Sequence, residues 1–121
     1  MPTILIADDN SDLRDILSEL LSIHGYSVLA ACDGEDAWDL LQTNHTDLVL
    51  SDVDMPRLDG IALCNRLHDS PAHHHMPMIL ISGKPPAIKP INVFGILAKP
   101  MQSEALLSAI DDALGRACLR S

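Results

Sequence analysis

At 121 residues the chain has the length of one ordinary domain, and its 47% hydrophobic content is enough to bury a core without covalent staples. Seventeen acidic against eight basic side chains, a formal charge of −9, exclude a surface that attracts phosphate backbones; a basic partner or a metal cation suits the sign better. No apolar run approaches the roughly 20 residues that span a bilayer, and Met-Pro-Thr leads straight into a strand-like run with neither the basic region nor the cleavage site of a signal peptide. The expectation is a soluble, cytoplasmic, single domain over residues 1–121 that binds neither nucleic acid nor membrane directly.

Thr3-Ile4-Leu5-Ile6-Ala7 is a short continuous apolar run ending in Asp8-Asp9-Asn10, the pattern of a strand buried on both faces. Leu13, Ile16, Leu17, Leu20 and Leu21 then recur at helical spacing, with Asn10 or Ser11 able to cap the start and Gly25 able to end the helix. A second run, Ser27 to Cys32, precedes Asp33-Gly34, a turn signal opening a helix that bears Ala37, Trp38, Leu40 and Leu41. Leu48-Val49-Leu50-Ser51 is a third strand ending at Asp52. After the loop Val53 to Asp59, Ile61, Leu63, Cys64 and Leu67 suit a short helix that stops before Pro71. Met78-Ile79-Leu80-Ile81 runs into Ser82-Gly83, and Phe94-Gly95-Ile96-Leu97-Ala98 runs into Lys99-Pro100. The last helix, with Ser103 near its cap, carries Leu106, Leu107, Ile110, Leu114 and Cys118 on one face. Trp38, Tyr26 and Phe94 are the only large aromatics, so the core has to be aliphatic; Cys32, Cys64 and Cys118, odd in number and without a Cys-x-x-Cys, read as small buried hydrophobes in a reducing compartment.

Five buried-type strands alternating with helices predict an α/β fold with one parallel sheet covered on both faces. In such sheets ligands bind beyond the carboxyl ends of the strands, near the point where strand order reverses. The tips of the first, third, fourth and fifth strands carry Asp8-Asp9, Asp52, Ser82 and Lys99, each directly after an apolar run. Carboxylates brought together there repel one another, and the remedies are a divalent cation or raised pKa values. Oxygen-only ligands favour Mg²⁺ over a softer metal. One carboxylate could then act as nucleophile toward a phosphoryl group, with Lys99 pairing the arriving phosphate and the Ser82 hydroxyl bonding another of its oxygens.

Those pieces resemble the receiver domain of two-component response regulators. The resemblance is carried by Ile4-Leu5-Ile6-Ala7-Asp8-Asp9, Asp47-Leu48-Val49-Leu50-Ser51-Asp52-Val53-Asp54-Met55-Pro56, Leu58-Asp59-Gly60, Ile81-Ser82-Gly83 and Ala98-Lys99-Pro100, in the family's order along nearly the whole chain. It implies a flavodoxin-like, doubly wound (βα)5 fold. It also implies that Asp52 accepts phosphate from the phosphohistidine of a sensor histidine kinase or phosphotransfer protein. Asp9, Asp52 and the backbone carbonyl of Asp54 would hold Mg²⁺, with Asp8 contributing through water, and Ser82 and Lys99 would contact the phosphoryl group. The Lys99–Pro100 bond is often cis in the family.

The chain departs from that pattern between Ser82 and Lys99, where the segment is short and Pro85, Pro86 and Pro90 occupy the usual place of the fourth helix. Proline within a helix costs about 3 kcal/mol, so that helix is predicted to be missing or reduced to a turn. The family's aromatic, three residues before the lysine, is Ile96 here. By strand alternation Phe94 would share its face and could substitute; the alternative, ordinary core packing, is preferred. Asp54 and Lys84, each two residues beyond a site residue, are read as a pair that tunes phosphoryl lifetime, the alternative being that both side chains are simply solvated. His73-His74-His75, with His68 nearby and Pro71 and Pro77 on either side, reads as an exposed loop rather than a metal site. His24 and His45 sit near helix ends with no special role, and Trp38 packs its helix on the sheet.

Asp52-Val53-Asp54 also matches the opening motif of haloacid-dehalogenase-like phosphatases, a rival disfavoured because Asp8-Asp9 precedes the motif and the chain lacks room for a cap. A phosphorylation-independent docking module is a second rival, disfavoured by the intact polar set. The function expected is a phosphoacceptor, not an enzyme, that switches binding to a protein partner. The kinase, the output partner, the oligomeric state, and whether the receiver stands alone or belongs to a longer protein are left open by the sequence.

Overall fold

The structure, a computed structural model, describes residues 2–83, 93–99 and 102–119, with side chains to residue 115. Among the described residues nine elements follow one another: β1 (Thr3–Ala7), α1 (Ser11–Ile23), β2 (Ser27–Ala31), α2 (Gly34–Thr43), β3 (Leu48–Asp52), α3 (Gly60–Asp69), β4 (Met78–Ser82), β5 (Gly95–Ala98) and α4 (Ser103–Leu119). The strands form one parallel sheet in the order β2-β1-β3-β4-β5. The chain steps outward from β1 to β2 and then returns to the other side of β1, so the order reverses between β1 and β3. That reversal opens a crevice beyond the carboxyl ends of those two strands.

The apolar runs serve two helix layers because successive side chains of a strand face opposite ways. Leu5, Ala7, Val49, Met78 and Leu80 point to the side of α2 and α3, where Ala37, Leu41, Leu63, Cys64 and Leu67 complete a buried cluster. Ile4, Ile6, Leu48, Leu50, Ile79 and Ile81 point to the side of α1 and α4, against Leu17, Leu21, Leu106 and Ile110. A fully buried aliphatic side chain contributes about 1.5–3 kcal/mol, so the sheet centre carries much of the stability.

Short polar side chains start three of the helices. Asn10 Oδ1 accepts from the Asp12 and Leu13 amides at 3.0 and 3.2 Å, Asp33 Oδ1 from Asp36 at 2.9 Å, and Asp59 Oδ1 from Ala62 at 2.8 Å. Such a cap stabilises a helix by about 1 kcal/mol.

Three expectations need correction. Cys32 is exposed, not buried: β2 ends one residue earlier, at Ala31, and the Cys32 amide donates to Asp36 Oδ2 at 3.0 Å instead of continuing the strand. Phe94 and Ile96 do not share a face, since Phe94 lies before β5, where strand alternation has no force. Phe94 packs half-buried on the α1/α4 side and Ile96 on the α2/α3 side, which agrees with the core reading of Phe94. The histidine run is not wholly exposed: His73 turns its ring inward to Trp38, centroids 5.7 Å apart, and both its ring nitrogens are buried without hydrogen-bond partners. The predicted loss of the fourth helix, the Lys99–Pro100 bond, Lys84 and the Cys118 side chain lie outside the described residues. No described helix is long and apolar enough to cross a membrane.

Candidate functional site

At the β1 tip the two acids part. Asp8 is buried while Asp9 points outward into the crevice. Asp8 Oδ1 accepts the Asn10 amide at 2.9 Å, and its backbone carbonyl accepts from Arg14 Nη1 at 2.8 Å, which ties the β1–α1 turn to the first turns of α1. Asp8 Oδ2 is buried and has no hydrogen-bond partner.

β3 contributes Asp52, nearly buried, through its parallel pairing with β1. Lys99, on the first residue past β5, donates from Nζ to Asp52 Oδ2 at 2.8 Å, and Asp52 Oδ1 accepts the Asp54 amide at 3.3 Å. Ser82 ends β4 fully buried, and its carbonyl accepts the Lys99 amide at 2.9 Å, which fixes the two residues side by side. The Asp54 side chain is exposed.

Asp8, Asp9 and Asp52 each offer an oxygen within 4.8 Å of the others, and among the described residues no other such group of three His, Cys, Asp or Glu exists. Burial, and then the like charges of Asp52 and Asp9, hold the Asp8 carboxyl above its ordinary pKa despite the Asn10 amide and the Lys99 charge. Burial works against the Lys99 ammonium, but its bond to Asp52 and the charges of Asp52, Asp8 and Asp9 outweigh that and raise its pKa. Three carboxylates within reach of one another, together with a buried Asp8 oxygen that lacks any partner, fit a small divalent cation. His73, His74 and His75 form no comparable group.

The loop from Val53 to Asp59 is fastened in two ways that the sequence does not announce. Gly60 is seated so close to β3 that an added Cβ would lie 2.3 Å from the Asp52 carbonyl oxygen, and Gly60 N–H donates to Val53 O at 2.9 Å. On the far side, Arg57 grips Asp33 with both prongs of its guanidinium, Nε to Oδ2 at 2.7 Å and Nη2 to Oδ1 at 3.0 Å. The Arg57 bond lowers the Asp33 pKa, with the Asp36 amide adding to it. Arg57 itself has φ 65°, and Leu58 N–H closes a three-residue turn on Pro56 O at 2.7 Å. That left-handed conformation costs a non-glycine residue about 1–2 kcal/mol.

A doubly wound parallel sheet with an acidic crevice at its reversal point, lysine and serine alongside, defines a receiver-type signalling module. The chain belongs to the response regulator receiver domain family, whose model matches residues 4–111; these are phosphoacceptor modules of two-component signalling. It is 40% identical over 119 residues to the 3',5'-cyclic-nucleotide phosphodiesterase regA of Dictyostelium discoideum, covering 92% of this chain but 15% of that protein. To the response regulator MprA of a Mycobacterium species it is 35% identical over 120 residues, covering 93% of this chain and 50% of the relative. The chain thus spans half or less of these two relatives. A receiver domain protein from Clostridium thermocellum superposes with a TM-score of 0.89 at 27% identity, each chain covered completely.

Proposed function

We propose that Asp52 is the phosphoacceptor of this receiver. The observation that carries the reading is the Asp52 carboxylate, held by the Lys99 ammonium at 2.8 Å and lying beside the Asp8 and Asp9 carboxylates. A carboxylate oxygen of Asp52 attacks the phosphorus of a phosphohistidine on a sensor kinase or phosphotransfer protein; the P–N bond breaks, and the imidazole nitrogen leaves with the bonding electrons. Lys99 then pairs with the transferred phosphoryl group, whose charge replaces part of that on Asp52, and the Ser82 hydroxyl donates to another of its oxygens.

Asp9, Asp52 and the Asp54 backbone carbonyl would hold Mg²⁺, with Asp8 acting through water. The cation supplies neutralisation of the crowded carboxylates and open positions for phosphate oxygens. Asp8 keeps the crevice acidic, and its backbone, pinned by Arg14, fixes where Asp9 projects. Phosphorylation changes the surface of the domain, and a cytoplasmic protein partner reads the change. A preference of a few kcal/mol is enough to shift such a two-state equilibrium.

The test separates an acceptor from an enzyme. Labelling by acetyl phosphate is expected to level off at one phosphoryl group per chain and to vanish in EDTA. Repeated turnover of p-nitrophenyl phosphate, or labelling indifferent to Mg²⁺, would overturn the reading.

A further inference from the structure

The Arg57–Asp33 pair stands outside the chemistry described above, yet its location is telling. Asp33 and Gly34 lead from β2 into α2, whereas Arg57 belongs to the loop that leaves β3. β1 lies between those two strands, so a loop from β3 that reaches the β2–α2 turn crosses beside the tip of β1, where Asp8 and Asp9 sit. A second tie runs in parallel: Gly34 N–H donates to Leu58 O at 3.1 Å, and a Cβ on Gly34 would lie 2.1 Å from that oxygen.

Stability alone is a poor account of this pair. The Arg57 side chain is 61% exposed, and ion pairs at the surface contribute little to folding. The arginine also occupies a left-handed turn position that glycine would take without strain. An unfavourable backbone geometry combined with a bidentate grip on a side chain only 8% exposed is what a clamp on loop shape requires. What the clamped loop carries is the Asp54 backbone, whose amide already bonds Asp52.

We infer that Arg57 is a positioning residue for the phosphorylation site: through Asp33 it holds the 53–59 loop, and with it the Asp54 backbone, at the acidic tips of β1 and β3. This rests on the reading of Asp52 as phosphoacceptor.

The experiment measures the initial rate of labelling by acetyl phosphate against Mg²⁺ concentration, in wild type and in folded variants checked by circular dichroism. Arg57→Ala is expected to raise the Mg²⁺ concentration for half-maximal rate about tenfold while leaving the rate at saturating Mg²⁺ within about twofold, the size of effect typical of groups that orient metal ligands. Asp33→Asn, which keeps an oxygen to cap α2, should do the same, and the double variant should add little to either alone. Arg57→Gly is the decisive variant, because it relaxes the turn but has no guanidinium; it too should need more Mg²⁺. A wild-type Mg²⁺ dependence in Arg57→Ala or Arg57→Gly, or fully additive effects in the double variant, overturns the inference. A wild type that takes no label on Asp52 overturns the phosphoacceptor reading, and this inference with it.

Discussion

Asp8, Asp9 and Asp52 come from two strands and bring their oxygens within 4.8 Å of one another. His73, His74 and His75 are consecutive and end in separate environments. His73 lies against Trp38, His74 bonds the Pro71 carbonyl at 3.1 Å, and His75 lies tilted by 48° against His74 with centroids 3.8 Å apart. Parallel pairing aligns strand ends, so residues remote in sequence converge on one crevice. A turn gives neighbouring side chains different directions. Density of metal-ligating residues along the chain is therefore a weaker guide to a site than their position at strand ends.

The sharpest way to break this contrast is steric. The acidic tip is packed against backbone at Gly60, so Gly60→Ala is expected to destabilise the fold by about 3 kcal/mol in urea unfolding. A variant as stable as wild type would mean that the loop is not seated on β3 as described.

The next effect is that of the cation. A ligand that binds only the folded state at a hundred times its Kd stabilises it by about 2.7 kcal/mol. Saturating Mg²⁺ should raise the melting temperature of the wild type and leave Asp9→Asn nearly unmoved; since Asp9 is exposed, the substitution should cost little in EDTA. Equal shifts in both would detach Asp9 from the metal.

Asp8 sharpens the comparison from the other direction. Its folded pKa is raised, so between its ordinary value near 4 and that raised value the folded chain binds more protons than the unfolded one. Stability from this group is present at low pH and is lost as pH rises through that window. In EDTA at pH 7, Asp8→Asn should therefore be more stable than wild type, with the gap closing as pH falls toward 4. A gap that widens on acidification would contradict the burial argument.

Smallest of all, His74→Ala and His75→Ala should change stability by less than about 0.5 kcal/mol and leave Mg²⁺-dependent labelling intact. Loss of labelling in either would give the histidine loop a role denied to it here.

Much of the fold was legible because buried parallel strands are written as unbroken aliphatic runs: Thr3–Ala7 matches β1 residue for residue, and the other four runs agree within one residue at each end. The site residues were legible for the same reason, since each follows such a run. Hydrophobic pattern cannot convey side-chain reach across loops. Asp33 reads as a turn residue and nothing in the pattern singles out Arg57, and their pairing depends on β2 and β3 flanking β1. Nor does it show that Asp8 is buried with an oxygen lacking a partner while its neighbour Asp9 is open to solvent, because both lie past the end of β1, where strand alternation no longer sets direction. The shared face of Phe94 and Ile96 depended on alternation reaching one residue beyond the strand, which it does not, whereas the preferred core packing of Phe94 holds.

The measurement that bears most directly on the phosphoacceptor is intact-mass analysis after incubation with acetyl phosphate and Mg²⁺, wild type beside Asp52→Asn. The account predicts one adduct of about 80 Da on the wild type, as expected for a single acyl phosphate, and none on the variant. An adduct that persists in Asp52→Asn, or a wild type that acquires none, would contradict it.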